Sequence, residues 1–405
     1  MDKINEVLNR GVEKVYPSKK AFEKVLRSGK KIKLYQGFDP SMANLHLGSM
    51  VGLLKLKQFQ DLGHEVIFLV GDFTGMIGDP TDKSATRKLL TREQVLENSK
   101  IWQEQAGRIL SFGGKNPAKL MFNSQWGDKV TFKDLIEITS HFTVQQILER
   151  DFFQRRFKVQ KPIHLHEFLY PVAQAIDCVA MDVDLEIGGS DQTFNMLAGR
   201  NLMKALKSKE KFVLTTKLLV DAKGEKIGKT TGNALFLNVS ASEMYGAIMS
   251  FPDETIIPGF ELLTQVPLQS IESMERNLKA RKTPAMDLKK KLAFEIVKML
   301  YSEKNAKNAE KEFKTRFQKR EKPSQIKLTP GAIQKGKHSI SKIMPSLIPN
   351  YAGTATISAT KRLIEQGGLE FEGKRITDPQ MKVTIKGREI IKAGKRRLYK
   401  VRIKK

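Results

Sequence analysis

The stretch Ile32-Lys33-Leu34-Tyr35-Gln36-Gly37-Phe38-Asp39-Pro40-Ser41-Met42-Ala43-Asn44-Leu45-His46-Leu47-Gly48-Ser49 runs from a short strand through a polar turn into a helix start, and it decides the fold. Downstream, Leu47 to Asp61 carries apolar residues at helical spacing, among them Val51, Leu54 and Phe59, and Gly63 stops that helix. Val66-Ile67-Phe68-Leu69-Val70 is apolar on both faces, the pattern of an interior parallel strand. Strand, helix, strand is a β-α-β unit, so the spacing predicts an α/β, Rossmann-like parallel sheet with ligands beyond the carboxyl ends of its strands. Further strands are expected at Lys119 to Phe122, Val183 to Ile187 and Phe212 to Val220, with a long helix from Thr91 to Phe112 opened by a Thr91…Gln94 capping box.

From Ser240 the pattern turns helical. Thr283 reads as a cap with Pro284 at the first helical position, and Leu288, Leu292, Ile296 and Met299 form one apolar stripe. Lys304 to Lys322 reads as a charged helix running into a linker. In the tail, Ser358 to Gln366 reads as a helix ended by Gly367-Gly368, and Tyr399, Val401 and Ile403 alternate with Lys400, Arg402 and Lys404. That alternation gives a strand with one packed face and one cationic face. The expected divisions are a catalytic domain over 1–235, a helical domain over 236–325, a linker over 326–344 and a small α+β module over 345–405.

Composition narrows the class. In 405 residues the apolar share is 40%, and the longest apolar runs are far too short to cross a bilayer. Basic residues number 71 against 44 acids, a net charge of +27, and from Tyr301 onward 27 basic residues face 9 acidic ones. Such a tail fits a polyanion, whether RNA, DNA or an anionic membrane surface, or serves only to solubilise. The amino terminus shows no basic-then-apolar signal pattern, and Cys178 is the only cysteine, so a reducing, cytoplasmic setting without membrane insertion is expected.

Four segments carry chemistry. The turn Gly37 to Ser49 places backbone N–H groups and the His46 imidazole at a helix start, an arrangement suited to phosphate oxygens, and Gly48 admits a flat base. Asp221 to Asn233 holds Lys226 and Lys229 three apart in a glycine-punctuated loop, able to stabilise a leaving pyrophosphate. On the helix around Phe168 to Met181, a turn of about 100° per residue puts Tyr170, Gln174 and Asp177 on one face of an otherwise apolar helix, with Pro171 starting or kinking it. Ile187-Gly188-Gly189-Ser190-Asp191-Gln192 ends a strand in two glycines and polar side chains, with Asp191 placed to accept from a ribose hydroxyl. Taken alone, the two turns read first as ordinary turns and the lysine segment as a solvated loop, while the helix face reads equally as an internal hydrogen-bond network.

Together and in this order they resemble the bacterial tyrosyl-tRNA synthetases, a class I aminoacyl-tRNA synthetase family. Tyr35 to Pro40 with His46-Leu47-Gly48-Ser49 is similar to that family's first signature, and Lys226-Ile227-Gly228-Lys229-Thr230 to its mobile lysine loop. Gly75 to Pro80, Tyr170 to Asp177 and Gly188 to Gln192 match as well, and the tail from about Pro345 is similar to an S4-type RNA-binding module. The resemblance implies activation of L-tyrosine by ATP with Mg²⁺, transfer to tRNA(Tyr), a helical tRNA-binding domain, a homodimer and no protein-held metal. It places Tyr35 and Asp177 at the phenolic hydroxyl, and Asp79, Tyr170 and Gln174 at the ammonium. Gln192 falls near the carboxylate and α-phosphate, Asp39 and Asp191 near ammonium and ribose, and Gly37, Ser41, His46, Gly48 and Lys229 around ATP. In catalysis it assigns His46, Ser49, Lys226, Lys229 and Thr230, and on tRNA Lys395, Arg396, Arg397, Lys400 and Arg402. Ser49 departs from the pattern, standing where the signature usually ends in a second histidine. Alternatives are a tryptophan-specific synthetase, another nucleotidyltransferase with a similar histidine-glycine turn, or a catalytically silent RNA-binding homologue. His164, His166 and Glu167 read as capping residues rather than a metal set, and Cys178, Trp102 and Trp126 as packing residues.

Overall fold

Six short strands form the sheet of the amino-terminal unit, Met1–Glu310. The computed structural model describes residues 2–79, 90–220, 235–315, 327–347, 357–394 and 397–404. The strands are β1 (Val12–Tyr16), β2 (Lys33–Phe38), β3 (Glu65–Val70), β4 (Lys119–Phe122), β5 (Leu185–Gly189) and β6 (Phe212–Thr216), in the order β1-β6-β5-β2-β3-β4. All neighbours pair in parallel except β1, which closes the edge antiparallel to β6. The chain winds one way from β2 through β3 to β4 and the other way from β5 to β6. The switch point between β2 and β5 is where such sheets open a crevice.

Both faces of the sheet are covered, which is why β3 is apolar on each side. On one face lies the helix Leu47–Asp61, bounded as its spacing predicts and buried at Leu47, Met50, Leu53, Leu56 and Phe59, with Gly63 ending it at φ +88°. On the other, the helices Leu165–Met181 and Thr193–Lys207 pack together, and Tyr35, Ile67 and Leu69 meet Cys178, Met181, Val183 and Met203.

Three expectations about elements are corrected. The long helix from Thr91 keeps its capping box but breaks into Arg92–Ser99 and Trp102–Ala106. The break aims Gln105 at the turn before the Leu47 helix, where its Oε1 accepts from the Leu45 N–H at 2.8 Å and its Nε2 donates to Asn44 Oδ1 at 2.7 Å. Pro284 is itself the cap of the helix Ala285–Leu300, so Thr283 lies outside, while the stripe of Leu288, Leu292 and Ile296 is buried as expected. Pro171 lies inside the helix Leu165–Met181 rather than at its start.

The helices from Ala241 to Leu300 belong to the same compact unit as the sheet. Arg108 Nη1 donates to the Leu237 carbonyl at 2.7 Å, and Arg10 Nη1 donates to the carbonyls of Glu261 and Thr264, each at 3.2 Å.

The second unit, Lys311–Lys405, holds β7 (Lys327–Ile333), β8 (Gly336–Ser339), β9 (Leu369–Phe371), β10 (Lys374–Arg375), β11 (Lys382–Ile385), β12 (Ile390–Ala393) and β13 (Arg397–Ile403). These form a five-stranded sheet, β10-β9-β12-β13-β7, and a pair, β11-β8. The linker expected over 326–344 is therefore corrected: β7 pairs in parallel with β13, and β8 pairs with β11. Pro330, Gly331 and Gly336 look like linker punctuation. The apolar Ile340, Ile343, Met344 and Leu347 of the following helix nevertheless bury against Val383, Ile391 and Val401 and draw this segment into the fold. On β13, Val401 is buried and Lys400 and Arg402 are exposed, so the expected alternation holds there.

Lys55, buried on the Leu47–Asp61 helix, donates to the carbonyls of Val7 at 2.8 Å and Arg10 at 2.6 Å and to Gln58 Oε1 at 2.7 Å, tying the amino-terminal helix to the sheet layer. Lys55→Met leaves those carbonyls unpaired and is expected to cost roughly 1–3 kcal/mol, read as a lower urea midpoint at pH 7. Burial, with the Arg10 guanidinium beside it, pushes the Lys55 ammonium down from 10.5 to about 7. Between those values the unfolded chain binds the extra proton, so stability from this group rises with pH across that window. The gap between wild type and variant should widen from pH 7 to pH 10, and a gap that narrows contradicts the burial argument.

Candidate active site

At the switch point, one cavity of about 250 Å³ is lined by residues from β2, β5, the Leu47 helix and the Leu165–Met181 helix. Tyr35, Asp177, Gln174, Tyr170, Asp39, Asp79, Asp191 and Gln192 all line it, as do Gly37, Ser41, His46, Gly48 and Ser49. Residues from three of the four chemistry-bearing segments, together with Asp79, thus meet in one place. Lys226, Lys229 and Thr230 lie outside the described residues, as do Lys395 and Arg396.

A continuous hydrogen-bond chain runs through the cavity wall. Tyr170 Oη donates to Asp39 Oδ2 at 2.7 Å, and Thr74 Oγ1 donates to Asp39 Oδ1 at 2.7 Å. Asn123 Nδ2 reaches Thr74 Oγ1 at 3.0 Å and Asp177 Oδ2 at 3.3 Å, and Trp126 Nε1 donates to Asp177 Oδ1 at 2.7 Å. Trp126 packs against the Tyr35 and Cys178 cluster, as expected, and in addition donates to the cavity-lining Asp177. Gly71 is required beside this chain, since a Cβ there would sit 2.1 Å from Asp39 Oδ1. Burial pushes the Asp177 carboxyl well above the usual carboxylate range, against the bonds from Trp126 and Asn123 that favour its charged form. Burial, then the neighbouring Asp39 charge, raises the Tyr170 hydroxyl.

A second cluster meets the same cavity at Glu186, a fully buried carboxylate on β5 that sequence reasoning passed over. Its Oε1 accepts from Tyr35 Oη at 2.6 Å and from Gln174 Nε2 at 2.9 Å. Its Oε2 takes the Lys211 ammonium, itself fully buried, and Cys178 Sγ at 3.3 Å. Lys211 Nζ also donates to the Met196 carbonyl at 3.1 Å and to Cys178 Sγ at 3.0 Å. Burial works to lower the Lys211 ammonium, but Cys178 and Glu186 overcome it and raise it. The Cys178 thiol is pushed up to about 12 by burial and by the Glu186 charge, so this cysteine is an inert part of the cluster.

Asp79 is held from two sides, by Arg150 Nη2 at 2.7 Å and by Gln192 Nε2 at 2.5 Å. His46 caps the Leu47 helix: its Nδ1 accepts from the Ser49 N–H at 3.2 Å, while Ser49 Oγ accepts from the His46 N–H at 3.4 Å. Ser49, expected to act on the nucleotide, is thus built into the capping box. Gln36 Oε1 and Trp102 Nε1, buried atoms of two lining residues, have no hydrogen-bond partner, and Trp102 is buried as its packing reading expects. His164 and Glu167 form a capping box, and Glu167 pairs with Arg156. Among the described residues, no group of three His, Cys, Asp or Glu side chains is placed to hold a metal ion, and no helix is long and apolar enough to cross a membrane.

Comparison with known proteins agrees with this geometry. Residues 27–318 match the family model of tRNA synthetases class I (W and Y). The chain is 40% identical over 397 residues to the tyrosine–tRNA ligase of Thermotoga maritima, covering 98% of this chain and 96% of that one. It is 38% identical over 401 residues to the tyrosine–tRNA ligase of Moorella thermoacetica, covering 98% and 94%. Among solved structures, a C-terminally truncated mitochondrial tyrosyl-tRNA synthetase of Coccidioides posadasii aligns with a TM-score of 0.62 at 25% identity, over 76% of this chain and 91% of that one. With a cavity at the switch point, a capped helix start beside it and relatives matching nearly end to end, the chain belongs to the class I tRNA synthetases of the tryptophan and tyrosine group, among the tyrosine–tRNA ligases.

Proposed function

We propose that this protein activates L-tyrosine with ATP and transfers it to the 3′-terminal adenosine of tRNA(Tyr). The observation that carries this reading is the gathering of Tyr35, Gln174 and Asp177 with Asp39, Asp79 and Tyr170 around one cavity that also reaches the His46 helix start. An aromatic amino acid with a polar ring tip meets Tyr35 and Asp177 at one end and carboxylates at its ammonium end. A tryptophan side chain has no hydroxyl for the first pair, which favours tyrosine over the tryptophan reading.

The chemistry needs no protein nucleophile. A carboxylate oxygen of tyrosine attacks the α-phosphorus of ATP, the bond to the β-phosphate bridging oxygen breaks, and pyrophosphate leaves with the magnesium that arrived with ATP. A ribose hydroxyl of tRNA then attacks the carbonyl carbon of tyrosyl-adenylate and AMP departs. Catalysis is positioning and charge stabilisation. His46 with the N–H groups of the Leu47 helix meets phosphate oxygens, and Gly188 and Gly189 let the nucleotide approach β5. Lys226, Lys229 and Thr230 are assigned to the leaving pyrophosphate on resemblance alone. The protein is placed in the cytoplasm, where its tRNA is.

Two surfaces serve partners. Phe132, Ile136, Val144, Phe157, Val159 and Leu165 are exposed apolar residues on consecutive helices, with Phe132 and Leu165 each 78% exposed. Their helices share one small core around Ile147, Phe153 and Val172, and their exposed residues are proposed as one face. A second copy of the chain is the occupant proposed for it, giving the homodimer. On the second unit, the exposed Lys400 and Arg402 of β13 are assigned to tRNA phosphates, together with Lys395, Arg396 and Arg397.

Pyrophosphate exchange should depend on tyrosine and not on tryptophan. In Asp177→Ala, kcat/KM for tyrosine should fall roughly 100-fold and the preference over phenylalanine should shrink with it, because a buried hydroxyl loses its partner. An unchanged tyrosine-to-phenylalanine ratio removes Asp177 from the site. Phe132→Asp combined with Phe157→Asp should convert a dimer to a monomer in sedimentation equilibrium, and a persistent dimer places the interface elsewhere. Lys400→Ala should weaken tRNA binding and lower the slope of log affinity against log salt by about 1, leaving adenylate formation unchanged.

A further inference from the structure

Two short stretches far apart in the sequence meet as an isolated antiparallel bridge at His46 and Phe236. The Leu47 N–H donates to the Leu235 carbonyl and the Leu237 N–H to the Leu45 carbonyl, each at 2.8 Å. Two backbone bonds are too few to hold a pair of extended segments together in water. The turn 105–108 supplies the rest by gripping both. Gln105, buried, accepts from the Leu45 N–H at 2.8 Å through Oε1 and donates to Asn44 Oδ1 at 2.7 Å through Nε2. Three residues on, Arg108 Nη1 donates to the Leu237 carbonyl at 2.7 Å. The Arg108 guanidinium lies 5.1 Å from the centroid of the Tyr301 ring, and the Tyr301 hydroxyl donates to the Val239 carbonyl, so the same strand is held again two residues later. Asn44, Leu45 and His46 line the cavity, whereas Gln105, Arg108 and Leu237 are not among its lining residues.

We propose that Gln105 and Arg108 are positioning residues for adenylate formation: from outside the cavity they hold the His46 turn and the segment 235–237 as one rigid pair, and so fix where His46 meets the phosphates of ATP. The peptide before His46 has both polar groups of Leu45 committed, its N–H to Gln105 and its carbonyl to Leu237, and the Leu47 N–H after it is committed to Leu235. An imidazole carried between two such fixed peptides has its own rotamer as its remaining freedom. Loss of either grip frees one side of the bridge. Leu235 also follows Thr230 by five residues in the sequence, so the same pair fixes the point at which the chain leaves the lysine segment. The amino-acid end is independent of these bonds: Tyr35 and Gln174 are held by Glu186, and Asp177 by Asn123 and Trp126. This inference rests on the placement of the ATP phosphates at His46 given above.

The test is a double-mutant cycle in tyrosine-dependent pyrophosphate exchange, with Gln105→Leu and Arg108→Met. Misplacing a catalytic group by about 1 Å costs about 100-fold, so each single variant, which loosens one side only, should lower kcat/KM for ATP about tenfold, with KM for tyrosine within about twofold of wild type. Both act through one bridge, so the double variant should lose no more than about threefold beyond the worse single, whereas independent defects multiply. Arg108→Lys, which keeps a donor for the Leu237 carbonyl, should recover most of the loss. An unchanged kcat/KM for ATP in the folded single variants overturns the proposal, as does full multiplication of the two losses or a rise in KM for tyrosine as large as the loss toward ATP. Should Gln105→Leu fail to fold, the two Arg108 variants carry the test: a loss confined to ATP that lysine recovers supports the proposal, and a loss that lysine does not recover overturns it. His46→Ala runs alongside. If it lowers kcat/KM for ATP while the Gln105 and Arg108 variants do not, only this inference falls; if it leaves that value unchanged, the placement of the phosphates at His46 falls and takes this inference with it.

Discussion

A carboxylate buried in an interior parallel strand has to be paid for in donors, and Glu186 draws its donors from three directions. Tyr35 comes from β2, Gln174 and Cys178 from the helix Leu165–Met181, and Lys211 from the entry to β6. Removing Lys211 leaves the buried Glu186 charge without its counter-ion, so the cluster fixes the neighbouring strands and the helix above them relative to one another. Those same elements are walls of the cavity. The position of Tyr35 and Gln174 toward a ligand is therefore set by a group whose electrostatic needs are met when the protein folds.

The second chain of bonds, from Tyr170 through Asp39, Thr74 and Asn123 to Asp177 and Trp126, does for the other wall what Glu186 does for the first. Its members come from the turn after β2, the short helix after β3, the segment after β4 and the helix Leu165–Met181. Asn123 is central because its amide hydrogens reach both Thr74 and Asp177 and its oxygen accepts from the Phe73 N–H at 2.8 Å. Two acidic residues assigned to opposite ends of an amino acid are thus connected through two buried side chains, Thr74 and Asn123. Preorganisation of this kind lowers the reorganisation needed when charge moves in the transition state.

Much of this was legible in the sequence because it obeys local rules. The Leu47–Asp61 helix and β3 follow from periodicity, and the face shared by Tyr170, Gln174 and Asp177 follows from helical geometry. Elements that depend on distant partners were not legible. The amino-terminal β1 is a five-residue edge strand whose partner, β6, is some two hundred residues away, and β7 owes its strand form to β13. Glu186 did carry a signal: a charge between Leu185 and Ile187 in a strand expected to be buried requires a partner. Lys211, just before the next strand, was the available cation, but only the parallel pairing of β5 with β6 brings the two together. Trp126 and Asn123 carried none, since an indole and an amide near a strand end are ordinary residues until Asp177 is placed beside them.

Ser49 shows how a departure from a family signature is absorbed. A histidine there has reach toward a nucleotide; the serine instead folds back, its hydroxyl accepting from the His46 N–H while its own N–H reaches His46 Nδ1. That exchange fixes the imidazole plane and uses Nδ1 as an acceptor, which puts the ring hydrogen of a neutral His46 on Nε2. The remaining N–H groups and the dipole of that first turn lie at the same end of the helix, where negative charge is favoured. The bond to Nδ1 comes from the backbone at position 49 and would be kept with any side chain there; what the serine itself adds is the hydroxyl that accepts from the His46 N–H and closes the cap.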